Sequence, residues 1–256
     1  MKHAAQFVIL FLSLSIGFLH ATPTKVVVRA LAKDAKFIGT SMGGALVVIR
    51  AAESGEVLAR GYTSGGTGDT RKLMQEPFTR GMQLSNETAA KYEITLDLTE
   101  PLFVTVEVYA PMAQRQSMVM GSTQLWLIPG KNITGDGILI EIPGFSVDIL
   151  SPQAHQEISL AKVPDGIPIR INLAMMCGCP VSPGGVWDSA QYEITALISR
   201  DGHVTDTIPL TYAGQASTFE GVFKPAGPGI YEITAYAFDA QHVNTGLDKT
   251  TVIVSE

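Results

Sequence analysis

Short apolar runs with the two-residue alternation of β-strands recur along almost the whole of this 256-residue chain. Gly, Pro, Asp and Asn separate the runs, and no stretch has the pattern of an amphipathic helix of three turns. Such strands are typical of β-sandwiches, in which alternate side chains face a shared core. The predicted strands are 25–30, 45–49, 92–98, 103–109, 124–128, 138–142, 146–150, 167–175, 192–199, 207–212, 219–223, 230–238 and 250–254. Residues 70–88 are the least regular part and are predicted to hold a loop or a short helix.

The composition fits folded cores and argues against a nucleic-acid partner. Hydrophobic residues make up 46% of the chain and charged residues 16%, which is enough apolar material for packed interiors. The formal net charge is -6, and no Lys/Arg-rich face stands out. A protein that binds the phosphate groups of a nucleic acid is expected to have a basic face or a net positive charge.

The N-terminus has the pattern of a secretory signal peptide. Lys2 and His3 form a short charged start, and residues 7–19 are an apolar stretch that is short for a membrane span. Ala21 offers a cleavage site before Thr22, although an uncleaved membrane anchor is the alternative. No later segment is long and apolar enough to span a membrane. We therefore expect a periplasmic or extracellular protein, in a compartment where disulfides form.

A boundary between two domains is predicted near Pro143 and Gly144. One predicted strand ends at Ile142 and the next begins at Ser146, so the link is too short to let the two domains move independently. The expected organisation is a signal peptide in residues 1–21, a first sandwich in 22–144 and a second in 145–256. The fold class is thus all-β, with two consecutive antiparallel β-sandwich domains after a signal peptide.

The second half carries a recognisable strand-and-turn pattern. Residues 229–239 are a long alternating strand with Tyr231 near its start, residues 244–246 suit a turn, and 250–254 suit a last strand. From about Ser146 to the end, this pattern resembles immunoglobulin-like sandwiches. The resemblance implies that Tyr231 forms a tyrosine corner, in which the hydroxyl bonds back to the backbone. It implies a fold and says little about function.

The first half shows a shorter pattern. A glycine-led strand at 43–49, a second strand at 55–59 and a Gly/Thr loop at 63–68 follow one another. This order resembles the transthyretin-like modules found beside secreted carboxypeptidases. Those modules are usually non-catalytic, so the resemblance implies a protein that is not an enzyme.

The only two cysteines lie in the stretch Met175-Met176-Cys177-Gly178-Cys179. If residues 167–179 are extended, alternation places Met175, Cys177 and Cys179 on the core face and turns Met176 to the other face. The prolines and glycines that follow end the strand beside a loop, where a ligand could reach the sulfur atoms.

Three interpretations of this stretch stay open. The cysteines are a local disulfide or inert packed thiols, a soft-metal site, or a redox pair. Two thiolates with a nearby thioether suit Cu(I), so a copper site would use Cys177, Cys179 and Met175 or Met176. A disulfide between cysteines two residues apart is feasible because Gly178 relaxes the backbone. Trp187 follows closely and is expected to cover the end of the core and shield the sulfurs.

Residues 39–43 match G-x-S-x-G, the pattern around the nucleophile of many α/β-hydrolases. That motif needs a strand before the serine and a helix after it, but the residues that follow Ser41 favour a strand. A serine hydrolase is therefore the third-ranked function, and a turn between strands is the preferred interpretation. His155, His203 and His242 fall in predicted loops and are expected to be solvated.

Two functions lead. The first is an exported, non-enzymatic accessory protein that binds a soft metal such as copper through the Met-Met-Cys-Gly-Cys stretch. The second is a structural or adhesion-type module that contacts a protein or a glycan and uses the cysteine pair as a local disulfide.

Overall fold

The computed structural model describes residues 20–256, and these residues are almost wholly β-structure. Residues 1–19, which hold most of the predicted signal peptide, lie outside the described residues. The first strand begins at Thr22, the residue that follows the predicted cleavage site. Within the part of the chain that the structure describes, no helix has the length and apolar character needed to cross a membrane.

The first seven strands form two sheets, which we call the N-terminal sandwich. The strands are Thr22–Ala32 (β1), Leu46–Ala51 (β2), Val57–Tyr62 (β3), Tyr92–Leu98 (β4), Leu102–Ala110 (β5), Val119–Leu127 (β6) and Ile133–Ile142 (β7). One sheet has the order β4-β1-β7 and the other the order β3-β2-β5-β6. The neighbours pair antiparallel, except that β1 and β7 run parallel.

The next nine strands form the C-terminal sandwich. They are Phe145–Ser151 (β8), Gln156–Ser159 (β9), Ile167–Met175 (β10), Tyr192–Arg200 (β11), His203–Pro209 (β12), Thr211–Tyr212 (β13), Thr218–Phe223 (β14), Gly229–Asp239 (β15) and Asn244–Ser255 (β16). The sheet orders are β13-β14-β10-β8 and β12-β11-β15-β16-β9. Only β9 and β16 pair in parallel in these two sheets. The all-β fold with two consecutive sandwiches is confirmed.

Alternation along the strands builds the core. In β10 the side chains of Ile167, Ile169, Ile171 and Leu173 are buried, and Pro168 between the first two is exposed. Each fully buried aliphatic side chain of this kind stabilises the fold by about 1.5–3 kcal/mol relative to an exposed one. The buried cluster runs without a break through both sandwiches. The division into domains at residues 144 and 145 therefore stays a prediction, although β7 ends at Ile142 and β8 begins at Phe145.

The tyrosine corner is present. The Tyr231 hydroxyl donates a 2.8 Å hydrogen bond to the carbonyl oxygen of Gly227, four residues upstream. The ring is buried, and the Arg200 guanidinium lies 5.4 Å from its centroid. The immunoglobulin-like resemblance of the second half is confirmed, whereas the transthyretin-like resemblance of the first half stays a prediction.

The irregular segment contains a short helix, as expected. Thr70–Met74 is the one α-helix of the described residues, and Asp69 caps it by accepting a 3.1 Å bond from the Lys72 N–H. The segment that follows is tied to the sandwich by Asp136, whose carboxylate accepts the backbone N–H groups of Leu84 and Ser85 at 2.7 Å.

The predicted strand 207–212 is wrong as a single element. The chain leaves one sheet after Pro209 and enters the other at Thr211, because β12 pairs with β11 and β13 pairs with β14. Leu210 lies between them and is buried. Strand β9 was not predicted, because only Ile158 of its four residues is buried and its pairing partner β16 is distant in sequence.

Candidate functional site

The cysteine stretch is a tight turn and not the end of an extended strand. Strand β10 ends at Met175, whose carbonyl accepts a 2.7 Å bond from the Gly178 N–H and whose own N–H bonds to the Cys179 carbonyl at 3.0 Å. Gly178 has a φ of 76°, a left-handed conformation that favours glycine. The predicted alternation through residue 179 is wrong from Met176 onwards, because this turn reverses the chain.

The two cysteines are joined to each other. Cys177 and Cys179 form a disulfide with a Cα–Cα distance of 5.4 Å, and they are 1% and 5% exposed. This supports the local disulfide among the three interpretations. Disulfide sulfurs do not offer thiolates, so a copper site would require the reduced form, whereas a redox pair would alternate between the disulfide and the two thiols.

Both neighbouring methionines are buried, and a third was missed. Met176 does not turn away to an open face, because its Cε lies 3.0 Å from where a Cβ on Gly144 would stand. Met42 lies in the 3-10 turn Thr40–Met42 of the N-terminal sandwich. Its Sδ lies 2.7 Å from where a Cβ on Gly178 would stand. The turn that contains the disulfide therefore packs against the N-terminal sandwich. No local pattern around Met42 indicated this contact.

Trp187 also lies at the contact between the sandwiches. Its side chain is buried, as predicted, and its Nε1 donates a 2.9 Å hydrogen bond to the Asp34 carbonyl of the N-terminal sandwich. Its predicted shielding of the sulfur atoms stays a prediction. The position of the indole shows that the loop after the cysteines helps to join the two sandwiches.

Further hydrogen bonds cross the same contact. The Ser117 hydroxyl accepts the Val147 N–H at 3.2 Å, and so covers part of β8 at the edge of its sheet. The Oδ1 of Asn244 accepts a 2.8 Å hydrogen bond from the Gly144 N–H, and its Nδ2 donates one of 3.5 Å to the Lys33 carbonyl. Backbone groups at this contact therefore find partners across it, which favours one fixed arrangement over many.

A second cluster, which we call the Asp-His cluster, consists of Asp34, Asp239 and His242. The Nδ1 of His242 lies 2.9 Å from Oδ2 of Asp239 and 3.2 Å from Oδ2 of Asp34. The side chain of Asp239 is 0% exposed, and those of the other two are each 32% exposed. One ligand atom from each residue lies within 4.8 Å of those of the others. Asp34 comes from the segment after β1, and the other two come from the end of β15 and the turn that follows.

Sequence reasoning missed this cluster. It placed His242 in a loop as a solvated side chain, whereas the imidazole contacts two carboxylates. His155 instead shares a 3.0 Å hydrogen bond with Thr251, and His203 is exposed at the start of β12. Only the adjacency of Asp239 and His242, three residues apart, was available as a signal.

The pKa values of the two aspartates in the cluster are shifted in opposite directions. Burial raises the pKa of Asp34, and Asp239 adds to this, although His242 opposes it. Burial also pushes the pKa of Asp239 upwards, but hydrogen bonds from the His242 backbone, the His242 ring and the Gln241 backbone outweigh it, so the pKa is lowered. Burial, followed by the charges of Asp239, Asp34 and Asp188, raises the pKa of the nearby Tyr192 to about 12.

Ser41 lies in the 3-10 turn between β1 and β2, and its side chain is exposed. Strand β2 follows this turn, where a nucleophile elbow would require a helix. The G-x-S-x-G pattern therefore lacks its structural context.

No protein-family model matches the chain, and no curated protein matches it. Among solved structures, the fibronectin(III)-like modules of Clostridium thermocellum CbhA are 10% identical, with 91% of this chain and 94% of theirs covered and a TM-score of 0.29. A putative membrane anchored protein from Corynebacterium diphtheriae is 9% identical, with 91% and 59% covered and a TM-score of 0.30. An engineered protein is 21% identical over 51% of this chain, which spans 24% of that protein, with a TM-score of 0.32. None of these likenesses bears on function.

Proposed function

We propose that the protein is an exported, non-enzymatic interaction module whose two sandwiches act as one rigid unit. The cysteine turn would stabilise the contact between the two sandwiches, which we call the joint, and would not bind a ligand. The observation that carries this proposal is the burial of the disulfide in a turn whose Gly178 lies against Met42 of the N-terminal sandwich. A reactive sulfur needs access to solvent, and Cys177 and Cys179 have very little.

Export is supported by the start of the chain and by the disulfide. The signal-like pattern of residues 1–21 precedes a strand that begins at Thr22. A disulfide is expected in an oxidising compartment, which is the periplasm or the extracellular space. Sequencing the N-terminus of the protein recovered from that compartment should give Thr22. A mature protein that begins at Met1 would contradict the cleavage.

The outer face of the sheet at β15 and β16 offers a contact surface for a protein or glycan partner. Tyr236, Phe238 and Leu247 line an open cleft of about 390 Å³, and Phe238 and Leu247 are exposed. Exposed aromatic and aliphatic groups in one patch are typical of interaction sites. The formal net charge of -6 does not favour a nucleic-acid partner.

A soft-metal site is the second candidate, and the position of Met42 favours it. After reduction, Cys177 and Cys179 would offer two thiolates, and Met175, Met176 and Met42 are three buried thioethers at or beside the same turn. Such ligands suit Cu(I). The two candidates differ in whether the sulfurs bind an ion at all.

Titration with Cu(I) under reducing conditions separates these candidates. If the turn is only structural, the reduced wild type and the Cys177→Ser/Cys179→Ser variant bind Cu(I) equally weakly, and the variant loses stability. Tight binding of one Cu(I) by the wild type alone would establish the metal site.

The interaction role is tested by crosslinking in the exported fraction, followed by mass spectrometry. A Phe238→Ser/Leu247→Ser variant is expected to lose a partner that the wild type captures. Val57→Ser removes an equally exposed side chain from the N-terminal sandwich and serves as the control. A partner kept by the Phe238→Ser/Leu247→Ser variant and lost by the control would move the contact to the other sandwich.

A further inference from the structure

We infer that the Asp-His cluster of Asp34, Asp239 and His242 is a binding site for one divalent transition-metal ion of the zinc type, which bridges the two sandwiches. This inference does not depend on the cysteines or on the interaction role proposed above. It concerns residues that lie on opposite sides of the joint.

The ligand atoms already converge. The distances of 2.9 and 3.2 Å from His242 Nδ1 to the two carboxylate oxygens are close to the separation of ligands around one small ion. Zn²⁺ binds nitrogen and oxygen ligands at about 2.0–2.2 Å in tetrahedral geometry, which places neighbouring ligand atoms roughly 3.3 Å apart. Small side-chain movements would therefore complete the three protein contacts.

The cluster is short of positive charge. Within the described part of the chain, neither Asp34 nor Asp239 forms an ion pair with a lysine or an arginine, and His242 is the partner of both. An imidazole Nδ1 carries at most one hydrogen, so it cannot donate a well-aligned hydrogen bond to both oxygens. Even a protonated His242 leaves one net negative charge. A divalent cation with a neutral imidazole would bring the site to neutrality.

The donor set selects the class of metal. An imidazole nitrogen suits zinc and neighbouring transition metals, whereas Ca²⁺ needs six to eight oxygen ligands, which three side chains do not supply. Asp239 is already positioned for ligation. Its Oδ1 accepts the backbone N–H groups of Gln241 and His242 at 2.9 and 3.1 Å, which leaves Oδ2 directed at His242. Such outer hydrogen bonds orient a ligating carboxylate.

The position implies a role in holding the joint. Asp34 also supplies the carbonyl that binds Trp187, so the bound ion would act beside an existing contact between the sandwiches. An ion that binds the folded arrangement and not the unfolded chain stabilises it in proportion to the logarithm of its concentration.

The test is calorimetric titration of the chelator-treated, full-length protein with ZnCl₂ under non-reducing conditions. We expect one ion per chain, weaker binding of CaCl₂, and a zinc-dependent rise in Tm. Asp34→Asn and His242→Gln should each weaken binding by at least about tenfold and abolish the Tm rise. Asparagine tolerates the left-handed backbone of Asp34, where φ is 54°, so the first variant should fold.

Three controls keep the test specific. His203→Gln removes an exposed histidine elsewhere, and Asp206→Asn removes an exposed acid on the same strand; both should bind zinc as the wild type does. The Cys177→Ser/Cys179→Ser variant should also bind zinc, which separates this site from the soft-metal candidate. Absence of saturable 1:1 binding, or wild-type affinity in both Asp34→Asn and His242→Gln, would overturn the inference.

Discussion

The indole Nε1 of Trp187 donates a 2.9 Å hydrogen bond to the backbone carbonyl of Asp34, and this bond crosses from the C-terminal to the N-terminal sandwich. The indole is buried, so the bond replaces water for both groups. It places a loop that follows the disulfide turn in direct contact with a residue of the Asp-His cluster. The two candidate sites therefore share one joint.

Substitution of Trp187 should separate the hydrogen bond from the packing. Trp187→Phe keeps an aromatic ring but leaves the Asp34 carbonyl without this donor, at a cost of about 1–3 kcal/mol. Trp187→Ala also leaves a cavity and should cost about 3–5 kcal/mol. Urea unfolding gives both values. Equal losses in the two variants would show that the packing of the ring contributes little.

Gly178→Ala should destabilise the protein through two effects. The φ of 76° is unfavourable for alanine, and the new Cβ would stand 2.7 Å from Met42 Sδ. The backbone effect alone is about 1–3 kcal/mol. Gly184→Ala is a matched control, because Gly184 has a φ of 67° but no atom within 4 Å of the added Cβ. Thermal unfolding should show a larger loss for Gly178→Ala, and equal losses would contradict the contact with Met42.

Tyr231→Phe should lower the free energy of unfolding by about 1–3 kcal/mol, because the Gly227 carbonyl loses its donor. The ring and its contact with Phe223 remain. Tyr212→Phe is the comparison, since this half-exposed hydroxyl has no hydrogen bond among the described residues, and its loss should change stability by less than about 0.5 kcal/mol. Urea titrations with unchanged m-values would show that the folded state itself is affected.

The two acids of the Asp-His cluster should give pH dependences of opposite sign in the presence of a chelator. The pKa of Asp239 is below its ordinary value of 3.8, so its contribution to stability is present above that value and is lost as the pH falls through the lowered pKa. The pKa of Asp34 is above 3.8, so its contribution is present below that value and is lost as the pH rises through the raised pKa.

Relative to the wild type, Asp239→Asn should therefore become less stable as the pH rises, and Asp34→Asn should become more stable. The measurement is the free energy of unfolding of all three proteins across the acid range. Parallel curves for the two variants would contradict the assigned shifts.

Ser41 should not react with a fluorophosphonate probe. Its 3-10 turn leads into a strand, so the helix of a nucleophile elbow is absent at this position. Labelling of the wild type should equal that of Ser41→Ala. Labelling that disappears in Ser41→Ala would restore the hydrolase hypothesis.

Local patterns predicted much of this fold. The alternation in 167–175 indicated a strand with Ile169 and Leu173 inside, and both are buried in β10. The resemblance of residues 229–239 to an immunoglobulin-like strand implied a tyrosine corner at Tyr231, and the corner is present. The same reasoning was wrong beyond Met175, because alternation describes extended chain and Gly178 adopts a left-handed turn.

The sequence by itself determined most of the strands, the class of fold and the placement of Met175 and the two cysteines towards the core, because each depends on residues close together in the chain. Only the tertiary structure decided that Met42 meets Gly178 and that Asp34 meets His242. These contacts depend on how two sheet pairs dock, and the hydrophobic effect that drives docking is non-directional. The particular partners are selected by shape and hydrogen bonding at the joint, which no local pattern encodes.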